Sequence, residues 1–171
     1  MDGHPIAQAI GCGLRRSVTR VSYHSKMDYD YTIFTDGSGE SSYLGGRTVS
    51  VVTKDGKTPI EIICEEWKDK HTCNEAEYKA VILALSRVRD CSALIKTDSS
   101  LVVNQLNPVK PWKINFEHLR LLNTKALDIM RIRCVRADFV HVPRDDNLAG
   151  RFIEGKLVYD RNVLRVVQQI L

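Results

Sequence analysis

Asp36 and Asp98 are the first residues whose type and position suggest chemistry. Each stands where a predicted apolar strand stops. If the two strands are parallel neighbours, both aspartates lie at the sheet edge where open mixed sheets place functional groups. Two carboxylates at that edge repel each other unless a cation lies between them, and a hard ion such as Mg²⁺ prefers oxygen ligands. Taken singly, each aspartate is better explained as a strand-end turn residue or a helix cap.

Glu77 strengthens the metal-binding interpretation. The sequence Thr72-Cys73-Asn74-Glu75 has the capping-box pattern, which predicts a helix that begins after Thr72. Glu77 heads a stripe of this helix that is otherwise apolar, formed with Ala80, Val81, Ala84 and Val88. A carboxylate on such a stripe faces the protein and needs a partner there. Glu75 lies on another face, where the cap and a solvated ion pair with Lys79 explain it.

The elements that must position these acids are predicted from hydrophobic periodicity and turn signals. An Asp-Gly hairpin signal at Asp55-Gly56 separates the second strand from the third. The predicted strands are 28–36, 47–53, 59–67, 93–97 and 133–142, and the predicted helices are 72–88, 99–106, 115–130 and one from about 147. Three hairpin-linked strands followed by two crossover-linked strands imply an α/β fold with a five-stranded mixed sheet and helices on both faces.

The two ends of the chain are predicted to differ from the domain at 28–156. Residues 1–27 show no periodicity and carry Arg15, Arg16 and Arg20, so we predict a mobile basic tail, with an organelle-targeting peptide as the alternative. Residues 157–171 place apolar side chains at helical spacing, namely Val163, Leu164, Val167, Ile170 and Leu171. We predict an amphipathic helix packed on its own domain, with docking to a larger replication assembly as the weaker alternative.

Composition narrows the class of protein. A chain of 171 residues with 43% hydrophobic content fits one globular domain, and its net charge of +4 is a weak indication of polyanionic partners. Its five cysteines form no CxxC pair, which argues against a disulfide framework and a zinc site and favours a cytoplasmic or other reducing intracellular setting. No apolar run approaches the roughly 20 residues that span a bilayer, so we expect no membrane partner.

Four motifs, met in this order along the chain, carry a resemblance to a known family. They are Thr35-Asp36-Gly37-Ser38, Asn74-Glu75-Ala76-Glu77-Tyr78, Thr97-Asp98-Ser99 and His141-Val142-Pro143-Arg144 with Asn147. Together they resemble the catalytic motifs of the ribonuclease H family, and most of all its compact branch found in archaea, bacteria and phages. The match runs from about Asp28 to Glu154.

The resemblance implies an enzyme that cuts the RNA strand of an RNA–DNA hybrid. Asp36, Glu77 and Asp98 would bind two Mg²⁺ ions, with Mn²⁺ as a substitute, and cleavage would leave a 5′-phosphate and a 3′-hydroxyl. The chain would act as a monomer. Substrate contacts are expected from three places: the turn at 37–42, with Gly37 and Ser38; Asn74, beside the catalytic glutamate; and a loop that combines cations with an aromatic ring, with Lys110, Trp112 and Lys113. The alternative for the loop is a solvated turn with Trp112 packed on the domain edge.

The sequence departs from the family at the final motif. Relatives usually have Asn-x-x-Ala-Asp, which supplies a fourth carboxylate, whereas this chain has Asn147-Leu148-Ala149-Gly150, which is one residue shorter and ends in glycine. We predict that Glu154, one helical turn after Gly150, partly replaces the missing acid; a charge from Asp145 or Asp146 in the preceding loop is the alternative. Cys73 stands where many relatives have a second asparagine. His141 is predicted to be packed within its strand rather than to act as a mobile base.

The alternatives to this function are another nuclease of the same fold, such as a proofreading exonuclease or a resolvase, and a catalytically impaired nucleic-acid-binding domain. Proofreading exonucleases of this fold carry Asp-x-Glu on the first strand, and Asp36-Gly37-Ser38 does not fit that pattern. A catalytically impaired nucleic-acid-binding domain would explain the missing fourth acid. It would not explain why Asp36, Glu77 and Asp98 are all present.

Overall fold

The structure, a computed structural model, describes residues 28–39, 46–69 and 71–169. The tail predicted for residues 1–27 and part of the turn at 37–42 therefore lie outside the described residues. Four helices are described: α1 (Cys73–Ser86), α2 (Ser100–Gln105), α3 (Glu117–Ile132) and α4 (Leu148–Ile153). None of the helices in these ranges is both long enough and apolar enough to cross a membrane.

Six strands form a single mixed sheet. They are β1 (Tyr31–Ser38), β2 (Arg47–Thr53), β3 (Pro59–Trp67), β4 (Cys91–Thr97), β5 (Val135–His141) and β6 (Leu164–Gln169). Their order across the sheet is β5-β4-β1-β2-β3-β6. Strand β2 is antiparallel to both of its neighbours, β1 and β3, whereas β4 pairs in parallel with β1 and β5, and β6 pairs in parallel with β3. The predicted α/β class and the antiparallel-then-crossover topology are confirmed, whereas the predicted strand number of five is wrong.

Alternation along the strands separates two apolar cores, one on each face of the sheet. Ile33 and Val52 point toward α1 and α3, whereas Phe34 and Val51 point toward α4. Helix α1 is buried along most of its length because the sheet covers one side of it and α3 covers another. Helices therefore lie on both faces, as predicted.

The first turn of α1 is fixed by the predicted capping box. The Thr72 hydroxyl accepts a hydrogen bond from the Glu75 amide at 3.2 Å, and the Glu75 carboxylate accepts one from the Thr72 amide at 3.4 Å. Lys79 does not form the ion pair predicted with Glu75 and makes other contacts instead. Lys79 Nζ lies 2.9 Å from His71 Nδ1 and 4.2 Å from the centroid of the Trp67 ring.

A buried polar network joins α1 to the two helices that follow it. The Tyr78 hydroxyl donates to Gln105 Oε1 at 2.6 Å, and the Asn123 amide donates to the Tyr78 hydroxyl at 3.2 Å. Asn123 also donates to the Gln105 main-chain oxygen at 3.3 Å. Because its members hydrogen-bond to one another in an apolar core, the network holds α1, α2 and α3 in one arrangement.

The C-terminal segment corrects the sequence prediction, because the described residues 157–169 contain a strand in place of the predicted amphipathic helix. Helix α4 ends at Ile153, and two residues later the chain reaches Gly155, whose φ of 72° is left-handed. The Gly155 amide donates to the Phe152 oxygen at 3.0 Å and the Lys156 amide to the Arg151 oxygen at 2.8 Å, a Schellman stop. After a short 3₁₀ turn at Arg161–Val163, β6 adds to the open edge of β3.

Pairing with β3 explains why residues 164–169 form a strand although the apolar side chains of this segment have helical spacing. Without β6, the main-chain groups on the outer edge of β3 would have no strand partner. Residues 163–169 include three valines, which favour strands, so pairing with β3 outweighs the helical pattern. Ile170 and Leu171, which contributed to that pattern, lie outside the described residues.

Gly37 allows β1 to pass directly against the backbone of α1. A Cβ atom placed on Gly37 would collide with the main-chain carbonyl of Ala76 and lie 2.6 Å from the Glu77 amide nitrogen. Gly39 is similarly close to the main chain of residues 71–73. Neither contact can be relieved by rotating a side chain, so these glycines set the spacing between β1 and α1.

We predict that Gly37→Ala lowers the free energy of unfolding by about 3 kcal/mol, the upper end of the usual overpacking effect, because only backbone shifts can make room. Chemical denaturation measures this loss. Gly56→Ala is the control, since nothing lies within 4 Å of that position and only its φ of 79° opposes a side chain. It should cost about 1 kcal/mol. Equal losses at the two glycines would show that the close approach at Gly37 is unimportant.

Candidate catalytic centre

Asp36 and Asp98 lie side by side because β1 and β4 are parallel neighbours in register. Thr35 is opposite Thr97, so the next residue of each chain segment is one of the two aspartates. Asp36 is within β1 and only 2% exposed, and Asp98 immediately follows β4. The parallel pairing of β1 with β4, assumed in the sequence prediction, is therefore present.

Glu77 completes a cluster of three carboxylates. It lies in the second turn of α1, which Gly37 allows to approach the end of β1. One carboxylate oxygen from each of Asp36, Glu77 and Asp98 lies within 4.8 Å of the others. These residues come from β1, α1 and the end of β4, so sheet register and helix packing together create the cluster.

The electrostatics of the cluster favour a bound cation. Burial raises the pKa of Asp36, and the neighbouring Asp98 carboxylate raises it further, while Arg144 opposes the shift. Burial also raises the pKa of Glu77, with added repulsion from Asp36 and Asp98. Within the described part of the chain, Glu77 Oε2 is buried and has no hydrogen-bond partner. An unpartnered oxygen among converging carboxylates fits a hard divalent cation such as Mg²⁺.

Asn147 holds α4 beside Asp36. Its buried side-chain amide donates to the Thr35 main-chain oxygen at 3.0 Å, and its side-chain oxygen accepts from the Ala149 amide at 3.1 Å. The same residue thus anchors α4 to β1 and caps the helix. A Cβ on Gly150 would lie 3.3 Å from Asp36 Oδ2. The position where relatives have a fourth acid therefore faces Asp36, but in this chain it has no side chain.

Glu154, predicted as a partial replacement for that acid, makes other contacts. One of its carboxylate oxygens lies 2.8 Å from Arg144 Nε and the other lies 3.1 Å from Lys156 Nζ. These two cations lower the pKa of Glu154. Asp145 and Asp146 are exposed in the 3₁₀ turn at Arg144–Asp146. Among the described residues, the three-carboxylate cluster includes none of these acids.

Arg144 is the residue near the site that sequence reasoning missed. Its Nη1 lies 3.4 Å from Asp98 Oδ2, while its Nε bonds to Glu154. The only sequence signal was its place in the motif His141-Val142-Pro143-Arg144, where its long side chain gives no periodicity to interpret. The contacts require the turn after β5 to bring residue 144 back over the end of β4.

The predicted substrate residues occupy three separate elements. Gly37 and Ser38 are the last residues of β1, two residues beyond the predicted strand end, because they pair with Thr48 and Arg47 of β2. Asn74 is exposed in the first turn of α1. Lys110, Trp112 and Lys113 are exposed in the loop between α2 and α3, and Trp112 is 53% exposed rather than packed on the domain edge.

His141 and the described cysteines are not part of the carboxylate cluster. His141 is exposed, so the prediction that it is packed is wrong; it lies at the last register position of the edge strand β5, opposite Thr97. Four of the five cysteines are described, and all are free: Cys64, Cys73, Cys91 and Cys134.

We predict that Glu77→Gln stabilises the metal-free protein. The raised pKa of Glu77 means that its ionisation opposes folding, and the effect grows as pH rises above the ordinary glutamate range. Replacing this ionisable carboxyl by a neutral amide should raise the metal-free Tm at pH 7.5 by a few degrees, corresponding to about 1–2 kcal/mol. Mg²⁺ should raise the Tm of the unsubstituted protein and have little effect on the variant.

Differential scanning calorimetry with and without Mg²⁺ tests this prediction, with Glu117→Gln as the control because that acid is exposed on α3. A lower metal-free Tm for Glu77→Gln, or the same response to Mg²⁺ in both proteins, would contradict the assigned electrostatics.

Comparisons with known proteins agree with this geometry. The family model described as RNase H matches residues 28–142, the segment that holds all three carboxylates. The N-terminal RNase H domain of Rv2228c from Mycobacterium tuberculosis is 26% identical, with a TM-score of 0.58, over 70% of this chain and 91% of that one. LC11-RNase H1 in complex with RNA/DNA hybrid is 27% identical, with a TM-score of 0.59, over 68% and 88% of the two chains.

The fold also resembles RNase H1 from the halophilic archaeon Halobacterium salinarum NRC-1, with 24% identity and a TM-score of 0.59 over 70% of this chain and 89% of that one. The search of curated proteins gave no match. The family model covers well over half of the chain and includes β1, α1 and β4, which carry the carboxylates. The chain therefore belongs to the ribonuclease H family of hydrolases.

Proposed function

We propose that this chain is an endonuclease that hydrolyses the RNA strand of RNA–DNA hybrids, leaving a 5′-phosphate and a 3′-hydroxyl. The observation that carries the proposal is the convergence of Asp36, Glu77 and Asp98 within 4.8 Å, in the segment matched by the family model. LC11-RNase H1, a structural relative with the same overall fold, was solved in complex with RNA/DNA hybrid, which supports the hybrid as the substrate.

Asp36, Glu77 and Asp98 would hold Mg²⁺, or Mn²⁺ in its place. When bound, divalent ions supply Lewis acidity at the attacking and leaving oxygens of phosphodiester hydrolysis. The protein contributes fixed positions for its charges: Asp36 is held by β1, Glu77 by a capped helix and Asp98 by the end of β4. Such preorganised charge needs little rearrangement when the phosphate arrives.

Substrate recognition would use groups exposed around this cluster. The Asn74 side chain is exposed three residues before Glu77, where its amide can hydrogen-bond to a ribose 2′-hydroxyl, the group that distinguishes RNA from DNA. Gly37 and Ser38, at the end of β1 next to Asp36, would contact the backbone of the RNA strand. Lys110 and Lys113 would bind phosphates, and Trp112 offers an exposed aromatic face to a sugar or base.

The chain would act as a monomer in a reducing compartment such as the cytoplasm. All three clustered carboxylates come from one chain, so a second copy is not needed to complete the cluster. The four described cysteines are free thiols, which suits a reducing environment.

A catalytically impaired domain that binds hybrids is the second candidate. The observation that favours it is Gly150, which leaves Asp36 without the fourth carboxylate usual in the family. Binding without turnover would separate this candidate from the nuclease.

We predict cleavage of the RNA strand of a labelled hybrid only when Mg²⁺ or Mn²⁺ is present. Double-stranded RNA and double-stranded DNA, each with either ion or with chelator, complete the assay. Asp98→Asn should reduce turnover about a hundredfold or more without loss of fold, because it removes a ligand charge and preserves shape. Asp128→Asn, at an exposed acid of α3, should retain turnover.

Two results of this assay would reject the nuclease proposal. One is equal cutting of duplex DNA, and the other is activity that survives chelation. Tight binding of the hybrid with no cleavage under either ion would instead support the impaired domain.

We predict that replacing Lys110, Trp112 and Lys113 together by Gln, Ala and Gln weakens hybrid binding. Because two phosphate contacts are lost, the slope of log affinity against log salt should become shallower by roughly 1–2. Fluorescence anisotropy across a salt series measures both quantities. A variant with Lys54→Gln and Lys57→Gln, in the turn at the other end of β2, is the control. An unchanged slope in the triple variant would show that this loop is a solvated turn that does not bind phosphates.

A further inference from the structure

We propose that the Arg144 guanidinium is a resident cation of the carboxylate cluster, and that this cation and the lack of a side chain at Gly150 together limit the protein without nucleic acid to one divalent ion rather than two. The inference rests on the proposed function only in taking Asp36, Glu77 and Asp98 as metal ligands. It concerns how many ions the protein itself can hold.

The first observation is the position of Arg144. It connects an acid of the cluster with an acid outside it, because Nη1 is 3.4 Å from Asp98 and Nε is 2.8 Å from Glu154. The guanidinium therefore adds a permanent positive charge next to the site, since arginine does not lose its proton in proteins. Lys156, 3.1 Å from the other oxygen of Glu154, helps to hold that carboxylate in place.

The second observation is the open side of the cluster at Gly150. This residue of α4 faces Asp36, with its Cβ position 3.3 Å from Oδ2, yet it supplies no ligand. Asn147 holds the helix there through its bond to the Thr35 oxygen. A second ion on this side would therefore share the Asp36 carboxylate and gain no oxygen from α4.

Charge balance connects these observations. One divalent ion and one guanidinium together neutralise the three clustered carboxylates. A second divalent ion would leave an excess of two positive charges in a site where Asp36 is buried, and that excess is unfavourable where water screens it poorly. The anion that could compensate is a phosphate of the nucleic acid, so a second ion is expected only with substrate.

Glu154 becomes a positioning residue rather than a ligand. Its carboxylate holds the guanidinium at Asp98, so its effect on metal binding should pass through Arg144. A ligand role for Glu154 would act whether or not Arg144 is present. A double-mutant cycle distinguishes the two roles.

The test counts Mn²⁺ ions bound in the absence of nucleic acid, by calorimetry and by electron paramagnetic resonance. We expect one equivalent for the unsubstituted protein and two for Gly150→Asp, which restores a carboxylate facing Asp36. Gly150→Asn, which has the same shape without the charge, should bind one. Arg144→Gln should bind the first ion about tenfold more tightly, because a positive charge near the ion is removed. Arg131→Gln, at an exposed arginine of α3, should bind as the unsubstituted protein does.

For the cycle, Glu154→Gln should alter Mn²⁺ affinity when Arg144 is present and by less than about twofold in the Arg144→Gln background. Two equivalents of similar affinity in the unsubstituted protein would overturn the inference, as would unchanged affinity in Arg144→Gln. Either result leaves the proposed nuclease function intact, because cleavage of the hybrid is measured separately. Absence of any bound ion, together with metal-independent cleavage, would overturn both.

Discussion

The end of β1 runs against the backbone of α1 with no space for a side chain at Gly37, and this contact determines where three acids meet. Asp36 precedes the contact in β1 and Glu77 follows it in α1. The register of β1 with β4 then brings Asp98 beside them. If α1 moved outward by the width of a methyl group, the cluster would open. A main-chain contact thus sets the geometry in which the side chains of three acids meet.

Holding three carboxylates together opposes folding, and the surrounding structure must offset that repulsion. The capping box fixes the start of α1, and the network of Tyr78, Gln105 and Asn123 fixes its relation to α2 and α3. On the other face of the sheet, the buried Asn147 fastens α4 to β1. Binding sites commonly carry such locally unfavourable arrangements, because the same charges become favourable once the ligand is present.

Local signals were sufficient for the parts of the protein that follow from short-range chemistry. The capping box and the apolar stripe headed by Glu77 located α1 and its inward-facing acid, and the strand ends located Asp36 and Asp98. Other features required distant partners. The pairing of β6 depends on the outer edge of β3, which lies about a hundred residues earlier in the chain. Because periodicity carries no information about so distant a partner, it predicted a helix for the segment that forms β6.

The same limit applies to single side chains near the site. Glu154 was correctly placed one turn after Gly150, but the structure shows it bonded to Arg144, and nothing in the spacing of acids indicated that arginine. His141 alternates with apolar residues as a packed residue would, yet β5 is an edge strand and leaves it exposed. A residue's place in the sheet cannot be deduced from its own strand.

The pairing of β6 with β3 has a consequence for how the chain folds. Ile62 pairs with Leu164, so the sheet is not complete until the residues of β6 have been synthesised. Contacts between residues so distant in sequence carry a large loop-closure entropy and slow folding. Until β6 arrives, a nascent chain exposes an unprotected strand edge to its neighbours. The family match ends at residue 142, so a shortened chain that keeps every clustered acid would still leave this edge open to self-association.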